Sequence, residues 1–149
     1  MTNPTIKSFG SIFTDHMFVM EWTNDKGWHN HRIQPYQNLS LNPASSNLHY
    51  GQEIFEGMKA FHTHDHGTVL FRPRNNLERM NHSAEIMCMP QIDVEAVLGW
   101  LKKLIILDTS WIPTDKGTAL YIRPTMIATE TTLNLTLHHT IYFLLFYHA

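Results

Sequence analysis

The 149 residues predict an α+β domain, an antiparallel sheet with two helices packed on one side of it. Three observations carry this. The first seventy or so residues hold strand-like runs joined by short glycine-closed turns, the pattern of hairpins and so of antiparallel pairing. Two stretches with apolar residues at helical spacing follow in succession. The chain then returns to strand-type residues and stays with them to its last apolar run.

Taken in order, residues 1–8 are polar, include Pro4 and read as a loose arm. Residues 13–22 are rich in aromatic and β-type side chains and predict a strand. Thr23-Asn24-Asp25-Lys26-Gly27 is a turn with glycine where a hairpin wants it, and residues 28–34 form the return strand. Residues 35–47, with Pro43, are a long connection. Residues 48–61 read as strand, with Gly51 and Gly57 marking a bulge or a group lying close to the backbone. His62 to Gly67 is a turn, and residues 68–71 are the partner strand.

Asn75 or Asn76 is the expected cap of the first helix, with Leu77, Met80, Ala84, Met87 and Cys88 on its buried face and Pro90 ending it. Cys88 on that stripe is expected to behave as a small buried hydrophobe. Asp93 caps the second helix, whose stripe is Val94, Val97, Leu98, Leu101, Leu104 and Ile105, with Lys102-Lys103 near its end. Residues 113–117 form a loop. Residues 119–122 and 125–127 read as strand broken by Pro124. Residues 141–147 read as a last strand, expected to lie uncovered for want of later partners and so to drive aggregation or dimerisation.

Composition bounds the function. At 43% hydrophobic and 16% charged the chain is globular, and its length suits one domain. A net charge of −2 offers nucleic acid no attraction. The single cysteine excludes an internal disulfide and fits a reducing compartment, the cytoplasm. Residues 1–9 lack the apolar core of a signal peptide, and the run 141–147 falls far short of the about 20 residues of a membrane helix. Among eleven histidines, His62, His64 and His66 form an alternating array of the kind that binds metal. Asp65 falls on the other side of that alternation, so a solvated turn is the simpler reading. The pairs His29/His31 and His138/His139 are weaker still. No phosphate-loop, dinucleotide or nucleophile-elbow motif occurs.

Two constellations bear chemistry. Arg79 points off the Leu77–Met80–Ala84 stripe near a helix start, as either a solvated arginine or a clamp for an anion. Tyr121 and Arg123, two apart on a strand, share a face. They are either exposed or pair an aromatic wall with a carboxylate receptor.

His49-Tyr50-Gly51-Gln52, followed by Phe55-Glu56-Gly57-Met58-Lys59-Ala60, resembles the signature of branched-chain amino acid aminotransferases, pyridoxal-phosphate enzymes of fold type IV. Phe13-Thr14-Asp15-His16-Met17, Gly27-Trp28, Pro43-Ala44-Ser45-Ser46, Leu70-Phe71-Arg72-Pro73, Arg79-Met80 with Ser83-Ala84, Gly117-Thr118 and Leu120-Tyr121-Ile122-Arg123-Pro124 follow the family's order and spacing. The resemblance runs over residues 9–130. It departs from the family at His31, where proline is usual. It departs again from Thr131 to Leu135, where the family has Pro and then Leu-Gly-Val.

The resemblance implies that residues 1–149 are one domain, the small N-terminal domain of such an enzyme. It implies that Arg79 contacts the phosphate of pyridoxal phosphate, and that Tyr121 and Arg123 line the substrate pocket with Phe9, Tyr50 and Phe55 as further aromatic walls. The intact enzyme would be a homodimer moving an amino group from leucine, isoleucine or valine to 2-oxoglutarate, or back from the branched-chain 2-oxo acids. Its cofactor lysine lies in a second domain, and none of Lys7, Lys26, Lys59, Lys102, Lys103 and Lys116 stands in that setting. The fragment alone is therefore expected to be inactive. The alternatives are a non-catalytic module that pairs with a full-length relative, and a histidine-based metal-binding domain.

Overall fold

The computed structural model describes residues 10–134 and 140–148. Strands β1 (His16–Thr23) and β2 (Gly27–Pro35) open it. A short helix α1 (Ser46–Tyr50) follows, and then β3 (Glu53–Phe55), β4 (Met58–Thr63) and β5 (Gly67–Leu70). Helices α2 (Pro73–Ile86) and α3 (Val94–Leu107) come next, then a single 3₁₀ turn Thr109–Trp111, β6 (Leu120–Ala128) and β7 (Thr140–His148). The seven strands form one sheet in the order β2-β1-β7-β6-β4-β5, with β3 also paired to β6. Every pairing is antiparallel, and the α+β class holds.

The main core lies between this sheet and the two long helices. Phe18, Met20, Ile122, Met126, Phe143, Leu145 and Tyr147 from the strands meet Leu77, Met80 and Ala84 of α2 and Val97, Leu98, Leu101, Leu104 and Ile105 of α3. Alternation along each strand leaves Met17, Val19 and Leu144 to form a smaller cluster on the opposite face, where Phe146 joins them. Asp93 caps α3 as its position predicts, its carboxylate accepting from Ala96 N at 3.0 Å.

Several expectations are corrected. The last strand is not uncovered. β7 lies between β1 and β6 and pairs along both edges, and the strand order ends instead at β2 and β5. A strand apolar at nearly every position is the mark of one buried on both faces. The sheet runs through Pro124 without a break, for a reason given below. Leu48 to Tyr50 belong to α1, not to a strand. Gly51 closes that helix at φ 63, and its N–H bonds to Asn47 O.

Neither Asn75 nor Asn76 caps α2. Arg72 precedes it in a left-handed conformation, and Pro73 opens it with a ready-made φ and no donor to satisfy. Cys88 is exposed at φ 54, past the helix end, so it has turned off the stripe, and Met89 is buried instead. Lys102 and Lys103 lie ahead of the last turn of α3, which carries no basic residue. At His31 the β1–β2 ladder shifts register between Val19 and Glu21, Asn30 takes φ 54, and the His31 ring stacks beside Trp100.

Candidate functional site

The site is built where the partner of β6 breaks. β3 pairs with the Thr125–Ile127 stretch of β6 and β4 with Leu120 to Ile122. Glu56 and Gly57 span the gap between them, and Glu56 N donates to Pro124 O at 2.9 Å. A residue's N and C=O point to the same side of an antiparallel strand, so the donor that Pro124 lacks would face this interruption. The β6–β7 ladder therefore loses no bond at Pro124, and the missing donor falls where β3 gives way to β4.

Gly57 has a second use. A Cβ there would overlap the Tyr121 hydroxyl, so only glycine lets the Tyr121 ring lie against this backbone. Tyr121 and Arg123 share one face of β6, and the pairing of Phe55 with Thr125 puts Phe55 on the same face. The Arg123 guanidinium stands 4.3 Å from the Phe55 ring centre and 5.2 Å from that of Tyr121. Both rings attract it as a cation. Its Nε is out of reach of water and has no hydrogen-bond partner among the described residues. The result is a cation held against an aromatic wall with a donor still unmet among the described residues.

On the α2 side, Arg79 is gripped by Glu56. Its Nε donates to Glu56 Oε1 at 3.0 Å and its Nη2 to Oε2 at 2.7 Å. The Glu56 carboxylate also accepts from Asn76 Nδ2 at 3.2 Å and from Gly57 N at 3.3 Å. Asn76 Nδ2 bonds Gly57 O as well, at 3.0 Å. These bonds tie α2 to the break in the sheet. Arg79 is the seventh residue of α2, past the free N–H groups of its first turn, so an anion here would be held by the guanidinium and not by the helix end.

The structure brings together Phe55, Tyr121 and Arg123, with Arg79 on the far side of Glu56. It does not bring Tyr50 to them. Tyr50 sits in α1, its hydroxyl bonded to Leu133 O, and Ser46 N ties that helix to Glu130 O beyond the other end of β6. At about 3.3 Å per residue, Arg123 is roughly 17 Å along the strand from its end at Ala128. Phe9 and Lys7 lie outside the described residues, as do His138 and His139. Lys26, Lys59, Lys102, Lys103 and Lys116 are all exposed, and Lys59 pairs across the ladder with Tyr121. His64 contacts its neighbour Asp65, both exposed. Among the described residues no three His, Cys, Asp or Glu side chains are grouped to hold a metal, and no helix is long and apolar enough to cross a membrane.

Residue spacing missed Glu56 and Asn76. The pattern Glu-Gly before an apolar residue marks a tight backbone, but nothing in it says that the carboxylate meets an arginine 23 residues on.

An aromatic-walled arginine thus lies at the break in the sheet, on the face opposite the two long helices. No family model matches the chain. It is 53% identical over 138 residues to branched-chain-amino-acid aminotransferase 2 of Bacillus subtilis (strain 168), a match covering 93% of this chain and 38% of that one. Its fold is that of the crystal structure of the Escherichia coli branched-chain amino acid aminotransferase, at TM-score 0.70 and 20% identity over 91% of this chain and 40% of that one. The Thermobaculum terrenum enzyme in its PLP-form gives 0.64 at 17% identity, over 90% and 40%. Along the matched stretch the chain is homologous to branched-chain amino acid aminotransferases, and it spans about two fifths of their length.

Proposed function

We propose that these residues form the small, N-terminal domain of a pyridoxal-phosphate-dependent branched-chain aminotransferase, and that the lysine that holds the cofactor comes from outside them. The observation that carries the reading is Arg123 laid against Phe55 and Tyr121. An amino acid or 2-oxo acid needs a cation for its carboxylate and an apolar wall for its side chain, and these three residues offer both. Burial on such a wall favours leucine, isoleucine and valine at about 25 cal/mol per Å².

The phosphate end of the cofactor also fits. Glu56 takes one edge of Arg79, and Nη1 has no partner among the described residues, so three N–H groups remain, two of them spaced for an anion. Nothing described here fits the cofactor's ring or its covalent attachment. Bound pyridoxal phosphate supplies the electron sink through which an amino group passes between amino acid and 2-oxoglutarate. This chain's residues would anchor the phosphate through Arg79 and orient the substrate carboxylate through Arg123. They would exclude water from its side chain with Phe55 and Tyr121. Phe9 belongs to the same proposal as a further wall residue, and Tyr50 only as one set apart from the Arg123 cluster by its place in α1. So do a homodimer and a cytoplasmic location.

The test joins these residues to the remaining length of a full relative such as the Bacillus subtilis enzyme. Arg79→Ala should weaken pyridoxal phosphate binding about tenfold or more, the worth of a charged two-bond grip. Tyr121→Ala should instead raise KM for leucine with cofactor affinity kept. The 149-residue chain alone should not transaminate leucine with 2-oxoglutarate. Turnover by that chain, or unchanged cofactor affinity in Arg79→Ala, would overturn the reading.

A further inference from the structure

We propose that Glu56 is a positioning residue for Arg79, holding its guanidinium by one edge so that the opposite edge meets the cofactor's phosphate. The inference rests on the reading of Arg79 as the phosphate anchor. A guanidinium carries five N–H groups in a planar fork. Glu56 takes Nε and one N–H of Nη2, at 3.0 and 2.7 Å. The three that remain lie along the outer edge, where two are spaced for two oxygens of one phosphate.

The pair is not an ordinary surface ion pair between two mobile side chains. The Glu56 side chain is only 12% exposed, against 62% for Arg79. The carboxylate is itself fixed by Asn76 Nδ2 and Gly57 N. A rigid acceptor therefore sets the plane of a long side chain that would otherwise sample many rotamers.

Two effects oppose each other. Fixing an arginine before the ligand arrives is worth up to about 30-fold in affinity, the rotamer freedom it would otherwise lose on binding. Repulsion between the Glu56 carboxylate and a phosphate on the far edge, screened by water, costs about sixfold. Positioning wins by up to about fivefold, and Glu56 strengthens the site despite its charge.

The test uses the 149-residue chain with inorganic phosphate as probe, followed through the ¹⁵N–¹H signals of the Arg79 side chain. In the unaltered chain phosphate should shift the Nη signals in a saturable way and leave Nε–H where Glu56 holds it. Glu56→Gln puts an amide donor where a carboxylate oxygen was and should weaken phosphate by up to about fivefold, with the Nε–H signal averaging. Asn76→Ala should do the same to a smaller degree. Equal or tighter phosphate binding in Glu56→Gln overturns the inference, since Glu56 would then be a competitor. So does an Nε–H signal that leaves its position as phosphate binds. Arg79→Ala keeps the failures apart. If it binds phosphate as the unaltered chain does, or if the unaltered chain shows no saturable shift, Arg79 is not the anchor and the proposed function falls with it.

Discussion

Tyr147 has no exposure and sits among the largest side chains of the core, yet it carries a hydroxyl. That hydroxyl reaches Leu101 O at 3.4 Å, a long and weak bond. Burial first, and the nearby Asp108 carboxylate second, push its ionisation far above the ordinary value of 10.0. The sign follows directly. Below the unfolded-state value both states keep the proton, and pH has no effect through this group. Above it the unfolded chain gives the proton up while the folded chain keeps it, so stability falls as pH rises. The expected loss is about 1.4 kcal/mol per pH unit above pH 10. Tyr147→Phe should remove that alkaline limb and cost about 1 kcal/mol or less at neutral pH, as read from urea unfolding. An unchanged alkaline limb would show that Tyr147 is not its source. At this scale the sequence shows residues that act through spacing. Tyr121 and Arg123 are legible as a pair because two steps along a strand return to one face. Glu56 is not, because its partner lies 23 positions away and is set by the docking of α2 on the sheet.

Between elements, the join of α3 to β1 turns on Asp108. It follows the last turn of α3 and is 2% exposed, at the helix end where the dipole disfavours a carboxylate. It is held by His16, whose backbone N–H donates to Oδ2 at 3.2 Å and whose Nδ1 lies 2.7 Å from Oδ1. Asp108→Ala leaves the partly buried His16 N–H without that acceptor and should cost about 1–3 kcal/mol in urea unfolding. A change below about 0.5 kcal/mol would mean that the join is made by apolar packing alone. α3 itself was readable because its cap and stripe are both local: Asp93 stands three residues before the amide it caps, and the buried positions repeat at helical spacing. The ends of α2 were not. It begins at Pro73 behind a left-handed Arg72, and it stops before Cys88. Backbone turns of that sort are chosen by what they allow to pack, such as Met89 in place of Cys88, and not by the residue that makes them. α1 was hidden for a similar reason. Five residues are too few to show a helical period, and Gly51 as its closing residue is indistinguishable from a strand glycine.

In the whole sheet, the strand read as the exposed last one is the one that holds the halves together. The hairpin pairs β1–β2 and β4–β5 were legible from their turns, but no local signal says where a strand from the far end of the chain inserts. In the order β2-β1-β7-β6, β7 is the sole ladder connection between β1 and β6 among the described residues. It also places Ile141, Phe143, Leu145 and Tyr147 in the main core, each with no exposure. Removing one such side chain down to alanine size typically costs about 2–5 kcal/mol. Four together exceed most of the 5–15 kcal/mol by which a domain of this size is usually stable. Ending the chain before Thr140 should therefore abolish the fold and not merely trim it. The expected result is loss of the near-ultraviolet circular dichroism of the buried aromatics and an unfolding curve with no cooperative step. If residues 1–139 instead unfold cooperatively with the same spectrum, the β1–β2 hairpin must dock on β6 without β7. The expectation of aggregation through β7 fails on the same geometry, since both its edges are taken. The full chain should associate, if at all, through β2 or β5, and a charged substitution on β7 should unfold it before changing that association.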